Sequence, residues 1–187
     1  MDLTKRQTEI IDAAINLTAQ GGIQNLTIKH LGDALGITEP AIYRHFKNKS
    51  EIVRTMIACF DEAVPAATPE LHGFEAVMAF ARNRFRQAEA KPPLARVMFA
   101  EELFMDDEEF TELMFRMMHR HKAELERYFL EAQESGEIRR DIPSDTLFRL
   151  VFGPVRLLIK QWGMTRGAFD LRSKGEELLK TLKAILR

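Results

Sequence analysis

Apolar residues recur along this chain at three- and four-residue spacing, and nowhere in the strict alternation of a half-buried strand flanked by Asn-Gly or Asp-Gly turns. A sheet has no material here, and the spacing predicts an all-α fold. The first helix is expected from about Thr4 to Gln20, with Ile10, Ile11, Ala14, Ile15 and Leu17 in one stripe and Gly21-Gly22 as its stop. Thr27 suits the N-cap of a short second helix carrying Ile28, Leu31 and Leu35 on one face and halting at Gly36. Thr38 suits the cap of a third, with Glu39 and Pro40 in its first turn, where a missing amide donor does no harm. Asn48 with Glu51 three residues on resembles a capping box opening a fourth helix, through Ile52, Val53, Met56, Ile57 and Phe60 to about Val64. Past Pro65 and Pro69, further helices are expected at about 74–90, 93–104, 107–135, 144–162 and 171–186, about nine in all.

Of the 187 residues 45% are hydrophobic, enough for a sizeable core. A single cysteine, Cys59, excludes an internal disulfide and a cysteine-based metal site and fits a reducing compartment. Residues 1–26 contain no signal-peptide-like apolar run, and no stretch is apolar enough to span a bilayer, so the expected location is cytoplasmic, with no membrane partner. A helical carboxylate-metal site needs Glu-x-x-His pairs, yet none of His30, His45, His72, His119 and His121 has an acid three residues before it. No spacing assembles a nucleophile, a base and an orienting residue either. Neither an enzyme, a metal nor a cofactor is expected.

With 27 basic against 28 acidic side chains, total charge says nothing about nucleic acid. Its distribution says more. Arg44, His45, Lys47 and Lys49 fall together, with no acid between Glu39 and Glu51. The first three helices, packed through Ile10, Leu17, Leu31, Leu35, Ile37 and Ile42 around a tight turn at Gly36, make a helix-turn-helix pattern. Helix starts normally collect acids, but the second opens Thr27-Ile28-Lys29-His30 and the fourth Asn48-Lys49. Either these lysines point into water or they converge with backbone amides on an external phosphate. Two such starts flanking a recognition helix favour the phosphate.

The run from Gly36 to Val53, Gly-Ile-Thr-Glu-Pro-Ala-Ile-Tyr-Arg-His-Phe-Lys-Asn-Lys-Ser-Glu-Ile-Val, resembles the signature of the tetracycline-repressor (TetR) family of bacterial transcriptional regulators. Likeness is specific over about residues 8–56; Pro40 stands where Gly or a small residue is usual, and Lys47 where Pro is frequent. The resemblance implies backbone phosphate contacts from Tyr43, His45 and Lys49, with Thr27 and Lys29 on the opposite rail. It places Thr38, Glu39, Ala41 and Arg44 on the exposed front of the third helix, where Arg can read guanine and Glu can accept from cytosine. Phe46 and Ile42 are expected to pack inward.

Phenylalanine and methionine crowd the remainder, ten Phe between Phe74 and Phe152 and five Met between Met98 and Met118. Such residues usually form ordinary core. The resemblance implies a ligand chamber, which Met98, Phe99, Phe104, Met114, Phe115, Met118, Phe148 and Phe152 would line around a hydrophobic small molecule. Arg82, Arg86, His119 and Arg149 are candidate polar anchors. The last two helices carry apolar stripes, Leu147, Val151, Pro154, Leu158 and Trp162 on one and Leu171, Leu178, Leu182 and Ile185 on the other. They face either their own domain or a second subunit, and a four-helix homodimer seam fits.

The combined expectation is a dimeric, ligand-responsive repressor that binds a palindromic double-stranded DNA operator and is released by the small molecule. Residues 1–47 would form the helix-turn-helix DNA-binding domain, and 48–187 the linker helix with the ligand-binding and dimerisation domain. The alternative is a helical protein-interaction or ligand-binding module that does not bind DNA.

Overall fold

The computed structural model describes residues 2–62, 70–98 and 108–187. Among the described residues there are nine helices and no strand: α1 Lys5–Asn25, α2 Ile28–Leu35, α3 Glu39–Tyr43, α4 Lys49–Glu62, α5 Gly73–Ala90, α6 Pro92–Met98, α7 Glu108–Glu134, α8 Ser144–Met164 and α9 Leu171–Leu186. Contacts group the chain into two compact units, Met1–Ala63 with Arg96–Phe115, and Val64–Ala95 with Arg116–Arg187. The division falls inside α6 and inside α7.

In the first unit, α1 starts at a reciprocal cap. The Thr4 hydroxyl accepts the Gln7 amide at 3.3 Å while the Gln7 side-chain oxygen accepts the Thr4 amide at 3.0 Å. The regular helix stops where the glycine pair predicts, at Gly21 (φ −137°, ψ 19°) and Gly22 (φ 74°, ψ −178°), and one more turn carries the element to Asn25. Gly22 has a backbone that a side chain would strain. Ile10, Ile11, Ala14 and Ile15 meet Leu26, Leu31, Ile42, Phe46, Ile52, Val53 and Met56 in a closed core, while Leu17, Leu35 and Ile37 are only half-buried.

In the second unit, α9 packs on α5 and α8. Its core joins Phe74, Phe85, Leu125, Phe129, Leu147, Val151, Val155, Ile159, Leu171 and Leu179. The N-terminus of α5 is closed by two carboxylates from the far end of the chain's longest helix and the turn after it. The Gly73 amide donates to Glu131 at 3.1 Å and the Phe74 amide to Glu137 at 3.2 Å. Both charges suit a positive helix end.

Candidate functional site

The turn between α2 and α3 is fixed by backbone. Thr27 caps α2 by accepting the His30 amide at 3.0 Å. Gly36 leaves the helix in the left-handed conformation (φ 64°, ψ 34°), and the Ile37 amide then donates back to the Gly32 carbonyl at 3.0 Å. α3 is five residues long, and Ile42 is its one buried residue. Thr38 occupies the N-cap position without a side-chain capping bond. At about 100° per residue, Pro40 and Arg44 stand opposite Ile42 and share the outermost line of the helix.

Thr38, Glu39, Pro40, Tyr43 and Arg44 are exposed, and Ala41 and His45 are half-buried. Thr27 is half-buried and Lys29 exposed. Phe46 lies inside, as the sequence predicts. The segment after α3 is tied to α1, because the Gln7 amide group donates to the His45 carbonyl at 3.3 Å. At the start of α4 the Glu51 amide donates to Asn48 Oδ1 at 2.9 Å, while the Glu51 carboxylate accepts the Lys47 amide at 2.6 Å. The cap thus reaches one residue further back than a capping box. Lys49, expected to serve a phosphate, here donates its ammonium to the Ile23 carbonyl at 3.0 Å. That partner is in the last turn of α1 and could not be read from local sequence.

Of the residues expected to line a ligand chamber, Phe99, Phe104 and the side chain of Met98 lie outside the described residues. Met114 is buried in the first unit, but its neighbour Phe115 is 56% exposed. Phe115 is therefore not enclosed within its own chain as expected: it points about 100° away from Met114, toward the exposed side of the helix.

Met118, Phe148 and Phe152 belong to the second unit, where they join residues the sequence did not nominate. The Phe148 ring stacks on Phe152 (centroids 5.2 Å apart), and Phe152 meets Phe80 edge-to-face at 5.3 Å. Phe80 in turn meets His121 at 5.8 Å and lies 4.8 Å beneath the Arg84 guanidinium. Arg84 is only 6% exposed and donates to Gln87 at 3.3 Å and to His121 Nδ1 at 3.0 Å. A guanidinium only donates, so this nitrogen must be the acceptor of a neutral imidazole. Burial, with the charges of Arg84 and Arg120, accordingly pushes the His121 pKa down to about 3. One turn away, half-buried Arg156 donates to Met118 Sδ at 3.5 Å, and burial lowers its pKa.

The anchors nominated from sequence lie elsewhere. Arg82 pairs at the surface with Glu75 (2.7 Å) and Glu176 (2.9 Å), Arg149 pairs with Asp145, and Arg86 and His119 are exposed. Arg84 was legible in one respect, since it falls on the buried stripe Val77, Ala81, Phe85 and Ala88 of α5.

Four of the residues expected at a subunit seam are enclosed by their own unit. Leu147 and Val151 are fully enclosed, and Leu182 and Leu171 nearly or wholly so, within their own unit. These four have no face left for a second subunit. Pro154, Leu158, Trp162 and Leu178 are half-buried, Trp162 donating to the Phe169 carbonyl at 3.1 Å, and Ile185 is exposed. The apolar side chains that α8 presents outward are Leu150, Leu157 and Met164, spaced by one heptad, with open space above Gly153.

Among the described residues no group of His, Cys, Asp and Glu is placed to hold a metal ion, and no helix is long and apolar enough to cross a membrane.

Two family profiles cover the chain: bacterial regulatory proteins, tetR family, over residues 10–56, and YsiA-like protein, C-terminal region, over residues 51–184. The tetracycline repressor protein class A from transposon 1721 of Escherichia coli is 33% identical over 92 residues, 46% of this chain and 41% of that protein. Two solved structures share the fold. The fatty acid degradation regulator FadR from Bacillus halodurans matches with a TM-score of 0.83 and 20% identity, covering 100% of this chain and 99% of that one. FadR from Bacillus subtilis, solved in complex with stearoyl-CoA, matches with a TM-score of 0.79 and 21% identity, over 96% of this chain and 99% of that one.

Proposed function

The chain belongs to the tetR family of bacterial regulatory proteins, a family of regulators and not of enzymes, and on that premise we propose that it is a homodimeric cytoplasmic repressor released from its operator by an amphipathic small molecule. The observation that carries the DNA-binding reading is the exposure of Glu39, Tyr43 and Arg44 around buried Ile42, between two helix starts that carry Lys29 and Lys49. Such a short helix on a rigid base fits a major groove. Arg44 and Glu39 offer base-edge contacts, while Thr27, Lys29, Tyr43, His45 and Lys49 offer backbone contacts. Residues 1–47 serve as the reading head. The remainder, 48–187, provides the effector site and the seam between subunits, built on the outward stripe of Leu150, Leu157 and Met164.

The cluster of Phe80, Phe148, Phe152 and Met118 with Arg84 and Arg156 favours an effector with an apolar body and an anionic head. Desolvated guanidinium groups beside aromatic rings suit a carboxylate or phosphate better than a neutral molecule does. The stearoyl-CoA held by the B. subtilis relative has that chemistry.

The test is a gel-shift titration on the upstream DNA of the chain's own gene, repeated with rising salt and then with stearoyl-CoA. Binding should weaken steeply with salt as phosphate counterions return. Micromolar stearoyl-CoA should then weaken it about five- to 150-fold, the range of ordinary allosteric coupling. A chain that ignores every duplex at low salt is a helical module of another kind. DNA binding that stearoyl-CoA leaves unchanged overturns the effector class alone.

A further inference from the structure

Gln7, in the first turn of α1, joins two parts of the first unit through one side-chain amide. Its Oε1 accepts the Thr4 amide at 3.0 Å and the Thr4 hydroxyl at 3.1 Å, closing the cap of α1. Its Nε2 donates to the His45 carbonyl at 3.3 Å, thirty-eight residues away and just past the end of α3. Flipping the amide would set nitrogen against N–H and oxygen against carbonyl, so both contacts demand this orientation. A capping box accepts Glu as readily as Gln at this position. Only Gln can also donate to a carbonyl.

The peptide between His45 and Phe46 is thereby bound at both polar ends, its carbonyl to Gln7 and its N–H to the Ile42 carbonyl at 3.1 Å. A planar unit held at both ends has a fixed orientation. The next N–H along, that of Lys47, is taken by the Glu51 carboxylate at 2.6 Å, and the Phe46 side chain between them is buried. The exit of α3 is held from α1, from α4 and from the core beneath. All of these residues lie in the first unit.

We propose that Gln7 is a positioning residue for DNA binding: by holding the His45 carbonyl it fixes the exit of α3, so that Tyr43 and His45 meet their phosphates already ordered. This rests on the reading of Tyr43 and His45 as backbone contacts. Gln7 itself touches no DNA in this role. Its loss weakens binding only while those two contacts exist to be positioned.

Duplexes are selected from a random library with the wild-type protein, and affinity for the tightest is measured in a double-mutant cycle. One background is wild type; the other carries Tyr43→Phe and His45→Ala. Gln7→Ala should weaken binding about three- to tenfold in the first, an ordinary coupling within one network, and less than about twofold in the second. Gln7→Glu keeps the reciprocal cap but cannot donate to His45. It should show the same difference between backgrounds, while its added charge weakens both alike. Circular dichroism and thermal melting check that each variant folds, and Gln7→Glu carries the test if Gln7→Ala does not fold.

An equal loss in both backgrounds overturns the proposal while leaving DNA binding intact, since Gln7 would then support the fold or meet DNA by itself. Unchanged affinity in Gln7→Ala overturns it as well. If the wild type selects no duplex, or if Tyr43→Phe with His45→Ala binds as tightly as wild type, the DNA reading of these residues and this inference fall together.

Discussion

The carbonyl oxygen of Ile37 occupies the space into which a side chain at Gly32 would grow: a Cβ there would stand 2.8 Å from it. Both partners are backbone of the α2–α3 turn, so neither can swing aside. Gly32→Ala should therefore cost about 1–3 kcal/mol, the usual penalty of overfilling a tight contact. The urea midpoint should fall, and operator affinity with it. An unchanged midpoint and unchanged affinity would mean that the turn opens freely.

Lys49 has two candidate partners, the Ile23 carbonyl at 3.0 Å and a DNA phosphate. If it reaches a phosphate on binding, Lys49→Ala should flatten the plot of log affinity against log salt by about one unit. Weaker binding with the same slope would assign Lys49 to the end of α1 alone.

His121 makes stability depend on acid. Its ordinary value is 6.5, and burial beside Arg84 lowers it to about 3 in the folded chain. The unfolded chain therefore takes up a proton that the folded chain refuses. The stabilising contribution is complete above about 6.5 and is lost as pH falls toward 3, with a slope of at most about 1.4 kcal/mol per pH unit. The difference in unfolding free energy between neutrality and about pH 5 should be smaller in His121→Gln than in the wild type. Equal differences would show that the imidazole is protonated in the folded chain.

At the proposed seam, position rather than hydrophobicity should decide the outcome. Leu157, 56% exposed on α8, should give monomers in sedimentation when changed to Asp, with little change in subunit fold. Leu147, fully buried, should on change to Ala cost about 2–5 kcal/mol while the surviving folded protein stays dimeric. A dimeric Leu157→Asp variant would place the seam elsewhere.

Local chemistry explains which parts were legible. Thr4, Thr27 and Asn48 announce helix starts because a cap is satisfied within a few residues, and the glycine pair and Gly36 announce stops for the same reason. Ile42 and Phe46 follow from periodicity. What escaped depends on distant partners. Nothing near Lys49 in sequence points to the end of α1, and nothing near Arg84 points to His121, thirty-seven residues on. The burial of Leu147 and Val151 within their own unit was hidden for a subtler reason. α8 is apolar on more than one side, so the stripe of Leu147 and Val151 and the stripe of Leu150 and Leu157 look alike until packing separates them.

Ile42 is the one buried residue of α3, while Thr38, Glu39, Pro40 and Arg44 are exposed. On the proposed reading, exchanging Thr38, Glu39, Pro40 or Arg44 need not disturb the scaffold, so the address that such a regulator answers to can drift independently of the signal it senses. A duplicated copy of the gene could acquire a new target through a handful of codon changes and keep the inherited chemical trigger.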